Sequence, residues 1–378
     1  MKERILVLNK FCPLHPAAGG AEKNLFEMFS RLGDHYEVFL LAAMFPGAKR
    51  SERLGNIHIM RLGNPRSENI VRIHLLIPLL IGYYVRKLKP DILFEDVSVL
   101  PFFSPLLARR TKNITMVHGF NRHYLLSSGR FVFGIIAWIA ERLFLLLYRK
   151  QTVIAVSEWM AEELRKAHFK DIHVIPNGVN ESLFASPKHY APEPTVLFLG
   201  RLEERKGIDL LLATYERVKQ SVPHVRYLIA GRDFSFGNGR LKRIVDRYRT
   251  QYAENEISFL GFVSDEKKHA LLGSAWVFAM PSRTEGYGIA AIEANAAGTF
   301  VIGNDVEGLR EAIRPGESGV LVDCSDPELF SRILIEWLNR ARLEGKEKTA
   351  RAWAKLHSWD ASAEMLRALL TRSEDRRA

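Results

Sequence analysis

Short apolar runs of four to six residues alternate with helical patterns along most of this chain, and that alternation restricts the possible folds most. Continuous apolar runs separated by helices mark strands buried on both faces of a parallel sheet. The runs form two series. The first covers residues 5–8, 37–41, 92–94, 114–117, 152–156 and 173–175, and the second 195–199, 227–230, 257–260, 277–280 and 300–303. Between them, residues 176–194 hold Asn177-Gly178, Ser186-Pro187 and further prolines, which is turn and linker chemistry. The expectation is an α/β chain with a doubly wound, Rossmann-like sheet on each side of that break. Such sheets bind ligands at the carboxyl ends of their strands. Two of them facing each other make a cleft.

One stretch carries the densest chemistry. Pro281-Ser282-Arg283-Thr284-Glu285-Gly286-Tyr287-Gly288 follows the run at 277–280 and leads into an Ala-rich helical pattern containing Glu293. Strand, glycine-punctuated turn and helix N-terminus together present free N–H groups and a positive dipole end to an anion. Two carboxylates beside an anion site need another partner. Sugar diols suit them, because a carboxylate accepts two well-aimed hydrogen bonds. Phosphate cradle plus diol readers point to a nucleotide-sugar.

Gly200-Arg201-Leu202-Glu203-Glu204-Arg205-Lys206-Gly207 likewise joins a strand run to a helical pattern. A planar fork at Arg201 and a point charge at Lys206 would neutralise a diphosphate without a metal. In the first half, Gly19-Gly20 opens the first helix, where paired glycines admit a close-lying ligand. His118-Gly119 ends the run at 114–117, so His118 is expected to point into the cleft. After 300–303, Glu311 could reach a ribose or complement a helix dipole. There is no Gly-x-Gly-x-x-Gly after the first strand and no Walker lysine loop, which argues against a dehydrogenase or a P-loop enzyme. No Asp-x-Asp pair follows a strand, so no metal and no other cofactor is expected.

Composition narrows the partners. Of the formal charge of +11, residues 1–190 carry +10 (26 basic, 16 acidic) and residues 191–378 carry +1. The basic half should face something anionic, such as a lipid headgroup or a lipid diphosphate. No aromatic-basic stacking pattern supports nucleic acid. Residues 73–85 and Phe131–Leu147 are apolar but too short or too charged to span a bilayer. The second is expected to be an ordinary buried helix, with an interfacial helix as the alternative. Cys12 and Cys324 lack ligand-like neighbours, and the N-terminal apolar run is too short for a signal peptide. A cytoplasmic protein, at most peripheral on the membrane, is expected.

Taken together, these motifs resemble the retaining glycosyltransferases of the GT-B fold in family 4, often called glycosyltransferase group 1. The resemblance rests on Glu285 and Glu293 with Ala294 and Gly298, on Gly200-Arg201-Leu202 with Lys206-Gly207, on Ile175-Pro176-Asn177-Gly178-Val179, and on Ser258-Phe259-Leu260-Gly261-Phe262-Val263. It implies an acceptor-binding domain over 1–185, a nucleotide-sugar domain over 186–356, and a tail over 357–378 packing back on the first domain. Arg201 and Lys206 would hold the donor diphosphate, and Glu285 with Gly286, Tyr287 and Gly288 the donor sugar. Glu293 would bind the ribose, His118 would lie beside the sugar and the attacking hydroxyl, and Gly20 with Gly19 would cradle phosphate. Gly261, Phe262 and Val263 would touch the base, leaving UDP and GDP both open. Three departures stand out: Glu307-Gly308 in place of Gly-Gly, Tyr287 in place of Phe, and Phe300 in place of Pro.

The implied reaction moves a hexosyl group to a lipid-linked or glycan acceptor. Breaking the anomeric bond builds negative charge on the diphosphate, which Arg201, Lys206 and the helix N-terminus at Gly288 stabilise. Retention implies attack from the leaving-group side, with a donor phosphate oxygen taking the acceptor proton. A nucleophilic Glu285 is the minority alternative. A GT-B-like nucleotide-sugar epimerase and a catalytically silent scaffold are the competing functions. Acceptor choice is assigned to first-domain loops such as residues 121–130.

Overall fold

The computed structural model describes residues 2–67, 72–98, 100–119, 131–185, 187–233, 239–340 and 345–372; the loop at 121–130 lies outside them. The chain divides into two compact units. One comprises Met1–Gly178 with the segment from Trp359 onward, and the other Val179–Ser358.

The first unit is built on β1 (Glu3–Leu8), β2 (Tyr36–Ala43), β3 (Ser51–Leu54), β4 (Ile57–Leu62), β5 (Ile92–Val97), β6 (Lys112–Val117), β7 (Thr152–Ala155) and β8 (Asp171–Val174). They lie in the order β3-β4-β2-β1-β5-β6-β7-β8. Every pairing is parallel except β3 with β4. That edge hairpin corrects the expectation of a purely parallel sheet. Its cause is local: Gly55, at φ +59°, with Asn56 closes a two-residue turn that only an antiparallel neighbour can use. Ile5, Leu6, Val7 and Leu8 are fully buried, as a central strand covered on both faces requires.

The second unit holds β9 (Thr195–Leu199), β10 (Arg226–Ala230), β11 (Ile257–Gly261), β12 (Val277–Met280), β13 (Phe300–Asn304) and β14 (Gly319–Val322). Their order is β11-β10-β9-β12-β13-β14, all parallel. In each sheet the order in which strands are added thus reverses once, between β1 and β5 in the first and between β9 and β12 in the second. Ligands of doubly wound sheets bind at such switch points. Tyr215, Tyr227, Phe278 and Phe330 fill the second core.

Two helices of the first unit carry apolar side chains on both faces. Ile73–Leu88 buries Ile73, Ile77 and Ile81, yet leaves Leu75, Leu79 and Tyr83, one helical stripe, more than half exposed. Phe131–Leu147 buries Phe144 but exposes Ile135, Ile136, Trp138, Ile139, Leu143 and Leu146. The second helix is therefore not the ordinary buried helix expected. Its inner stripe satisfies the sheet, and its outer stripe is unspent. No described helix is long and apolar enough to cross a membrane.

The helix Trp359–Arg372 belongs to the first unit although it follows the second in sequence. Trp359, Leu366 and Leu370 are buried there. Asp360 pairs with Arg31 at 2.5 Å, and Ser362 Oγ donates to the Pro176 carbonyl at 2.7 Å.

Candidate active site

In the second unit the switch point brings two predicted loops together. Residues 200–207 leave β9 and residues 281–288 leave β12. They are strapped by Arg283 N–H donating to the Arg205 carbonyl at 2.8 Å and by the two-pronged Arg283–Asp209 pair at 2.8 Å on each prong. Gly207 sits at φ +69°, and a Cβ there would stand 1.9 Å from the Pro281 carbonyl oxygen. Only glycine permits that approach.

Lys206 Nζ bonds Glu285 Oε1, which also accepts from Ser282 Oγ at 2.8 Å. The two side chains are 18% and 8% exposed, so this is a largely desolvated ion pair. Burial pushes the Glu285 carboxyl up, but Lys206 and Arg205 outweigh burial and hold it below its ordinary value. Burial draws the Lys206 ammonium down against the pull of Glu285. The result is an ionised carboxylate with its cation poised beside it. Arg201, on the same loop, is more open, with Nη2 3.5 Å from Glu203 Oε1.

Gly288, at φ +86°, caps the helix Ile289–Ala296, which buries Glu293. Glu293 Oε1 accepts from Lys268 Nζ at 3.1 Å, and Lys268 also meets Asp265 at 3.0 Å. Burial lowers the Lys268 ammonium, and the two acids reverse that and raise it. Tyr287 is buried and bonds through its hydroxyl to His357 Nδ1 at 2.7 Å. The Tyr-for-Phe departure therefore adds a bond rather than merely filling space. The Glu307-Gly308 departure keeps its second glycine, which is packed against the loop before it. A Cβ there would lie 2.2 Å from the Glu285 carbonyl oxygen, so the glycine that matters is kept, and Glu307 begins a helix whose N-terminus favours an acid. Glu311, on that helix, lies close enough for its charge to act on Tyr287. Gly261, at φ +64°, and exposed Phe262 lie where β11 ends, with Val263 just beyond.

In the first unit, His118 follows β6 and does not stand free. Its Nε2 lies 2.5 Å from Asp96 Oδ1, and Asp96 Oδ2 accepts from Asn9 Nδ2 at 2.9 Å. Facing a carboxylate, Nε2 carries the proton and Nδ1 is left for another partner. Burial lowers the His118 ring, and Asp96 and Glu22 more than reverse it, so its pKa is raised. Asn9, Asp96 and His118 come from the ends of β1, β5 and β6, at this sheet's own switch point. Gly19 is the N-cap of the helix Gly20–Ser30, and Glu22 Oε2 accepts from the Gly19 N–H at 2.7 Å.

Asp96, Asn9, Lys268 and Ser282 were not found from the sequence. Asp96 left a signal: Glu95-Asp96 sits inside the apolar run 92–97, and buried acids need partners. Lys268 left none, being one charge among several on its helix.

Two linked parallel sheets, with paired charges at the switch point of the second, define a GT-B architecture. Solved structures share it. A sucrose-phosphate synthase from Thermosynechococcus elongatus superposes with a TM-score of 0.83 at 20% identity over all of both chains. The Anabaena protein HepE, solved in complex with UDP-glucose, gives 0.74 at 17% identity over 97% of this chain and 99% of that one. Residues 179–355 match the family described as glycosyl transferases group 1, and residues 18–183 match Glycosyltransferase Family 4. The chain belongs to this group 1, family 4 set of glycosyltransferases. A phosphatidyl-myo-inositol mannosyltransferase from Mycobacterium tuberculosis is 37% identical over 192 residues, 49% of this chain and 48% of that protein. The Mycolicibacterium smegmatis counterpart is 34% identical over 225 residues, 57% and 55%. The chain thus matches about half the length of these curated relatives.

Proposed function

We propose that this protein transfers a hexosyl group, with retention, from a UDP- or GDP-linked sugar to a lipid-linked or glycan acceptor. The observation that carries this reading is the buried Lys206–Glu285 pair with Arg201 at the second switch point. The arriving diphosphate takes Lys206 and Arg201, and Glu285 is freed towards the sugar hydroxyls. Leaving-group charge then grows beside two fixed cations, which serve it more in the transition state than before. This cationic pair does the work of a metal, so the reaction is proposed to need none. Glu293 takes the ribose diol, exchanging Lys268 for it. His118, oriented by Asp96, is the first unit's contact for the attacking hydroxyl, and a donor phosphate oxygen receives the acceptor proton.

The mycobacterial relatives are named for a phosphatidyl lipid, and residues 1–178 of the first unit carry +10 (25 basic, 15 acidic) with two outward apolar stripes. A basic surface with exposed Leu, Ile and Trp suits an anionic bilayer. We therefore place the acceptor at the cytoplasmic membrane face.

Nucleotide release from UDP-, GDP- and ADP-sugars, with and without a membrane lipid extract, tests this. Release from one donor that rises with lipid and disappears in Glu293→Ala is the expected result. Donor binding without any release to acceptor would return the chain to the scaffold reading.

A further inference from the structure

Part of the first unit's cationic surplus gathers away from the strand ends that carry His118. An open recess of about 500 Å³ lies at the amino ends of β6 and β7. Pro105, Arg109, Arg110, Lys112 and Lys150 line it, and among the described residues no acid does. Lys112 begins the six-residue strand β6 and His118 follows it, so the recess and His118 stand about 20 Å apart.

One buried carboxylate shapes the recess from two sides. Glu95, in β5, accepts the Phe102 N–H at 2.6 Å and the Ser104 N–H at 3.1 Å, which fixes the segment leading into Arg109 and Arg110. It also accepts from the Tyr148 hydroxyl at 2.9 Å, which fixes the segment leading into Lys150. Asn113 Nδ2 donates to the Ala108 and Thr111 carbonyls at 3.0 and 2.7 Å and closes the turn that carries the two arginines. Lys112 Nζ donates to the Leu370 carbonyl at 3.1 Å, which holds its charge in place. Among the described residues, the side chains of Arg109, Arg110 and Lys150 make no hydrogen bond or ion pair. Asp171, on β8, is engaged by Thr152 Oγ1 at 2.7 Å and by His173 Nε2 at 3.0 Å. Like charges held together without a counter-ion are relieved when an anion enters.

The rim of the recess is apolar. Leu106 and Leu107, just ahead of the arginines, and Leu143 and Leu146, just ahead of Lys150, are each between 41% and 59% exposed. Ile139, Leu143, Leu146 and Lys150 follow one another at helical spacing, so the outward stripe of Phe131–Leu147 runs on to the recess. A soluble anion has no use for exposed leucines. A lipid has, because its phosphate lies at the depth where interfacial leucines enter the bilayer.

We propose that this recess binds the terminal phosphate of a bilayer lipid and moors the first unit by it. The proposal rests on the membrane-face reading above and gives it a headgroup class. A phosphomonoester offers three terminal oxygens to two arginine forks and two ammonium groups, where a diester offers two.

The test is flotation of the full chain with phosphatidylcholine vesicles doped with phosphatidate, or with a carboxylate-headed diacylglycerol at matched surface charge. The wild type is expected to bind the phosphatidate vesicles on the order of tenfold tighter. Arg109→Ala/Arg110→Ala should abolish that preference. Lys49→Ala/Arg50→Ala, which removes the same charge from the exposed loop before β3, should keep it. Leu107→Ser and Leu146→Ser should each weaken vesicle binding several-fold. Circular dichroism checks that the variants stay folded. Equal affinity for the two anionic lipids, or a preference that survives Arg109→Ala/Arg110→Ala, overturns the proposal. Displacement from vesicles by millimolar glycerol 3-phosphate, with the leucine variants binding as wild type, overturns the lipid source and leaves a free phosphomonoester as the ligand. UDP and GDP affinities should be unchanged in Arg109→Ala/Arg110→Ala, so failure here leaves the nucleotide-sugar reading intact. Failure to bind any anionic vesicle overturns the membrane placement as well.

Discussion

Lys206 and Glu285 form a charge pair whose members depend on each other. Removing the lysine strips the diphosphate of a counter-charge and leaves a carboxylate uncompensated in a desolvated place. Lys206→Ala is expected to lower kcat/KM by about 10²–10³-fold, the scale set by losing one preorganised transition-state contact. A steady-state assay near wild-type rates would remove Lys206 from the site. The bond between Tyr287 and His357 makes a different residue-scale case. Burial pushes the His357 imidazole down to about 4, so at neutral pH it accepts from the tyrosine hydroxyl. An unfolded histidine binds its proton near pH 6.5. The folded state resists protonation, so stability present above pH 6.5 is lost as pH falls towards 4, by up to about 3 kcal/mol. Urea unfolding at pH 7 and pH 4.5 should show this loss. His357→Asn, which keeps an acceptor without the titration, should lessen it. Tyr287→Phe should cost about 1 kcal/mol at pH 7.

At the scale of elements, glycines fix where the site loops run. Gly308→Ala would drive a methyl into the Glu285 carbonyl. It is expected to disable donor binding while the second unit still melts cooperatively; unchanged donor affinity by titration would show that the loop path is not controlled there. The same scale shows what a sequence can disclose. The eleven runs read as strands each fall on a strand, those at 152–156 and 173–175 overrunning its end by one residue, because continuous burial on both faces leaves an apolar imprint even in four residues. The hairpin β3–β4 escaped because its edge strand alternates exposed and half-buried side chains and carries charge. β14 escaped because it is an edge strand whose two central residues are only half-buried, so it lacks a continuous apolar run. Glu285, Glu293 and Lys206 were legible because glycines and strand ends frame them. Lys268 was not, because a partner reached through space leaves no fixed spacing in the chain, and Asp96 showed only as an acid inside an apolar run, with its partners unnamed.

At the scale of the whole molecule, the outward stripes on Ile73–Leu88 and Phe131–Leu147 belong to the unit that carries most of the net charge. Leu79→Glu and Ile139→Glu should each weaken binding to anionic liposomes in sedimentation, and raising salt should weaken the wild type. Indifference to both would detach the protein from the bilayer. The placement of Trp359–Arg372 has a consequence in time. The last helix of the first unit is made only after the whole of the second, so the first cannot close its fold until then. A chain shortened to end at Ser358 should therefore keep residues 179–358 protected from protease while the earlier-made unit loses protection. The segment synthesised first reaches its finished form last, and a cell making this protein has to shelter an unfinished, basic, apolar-faced half for most of its translation.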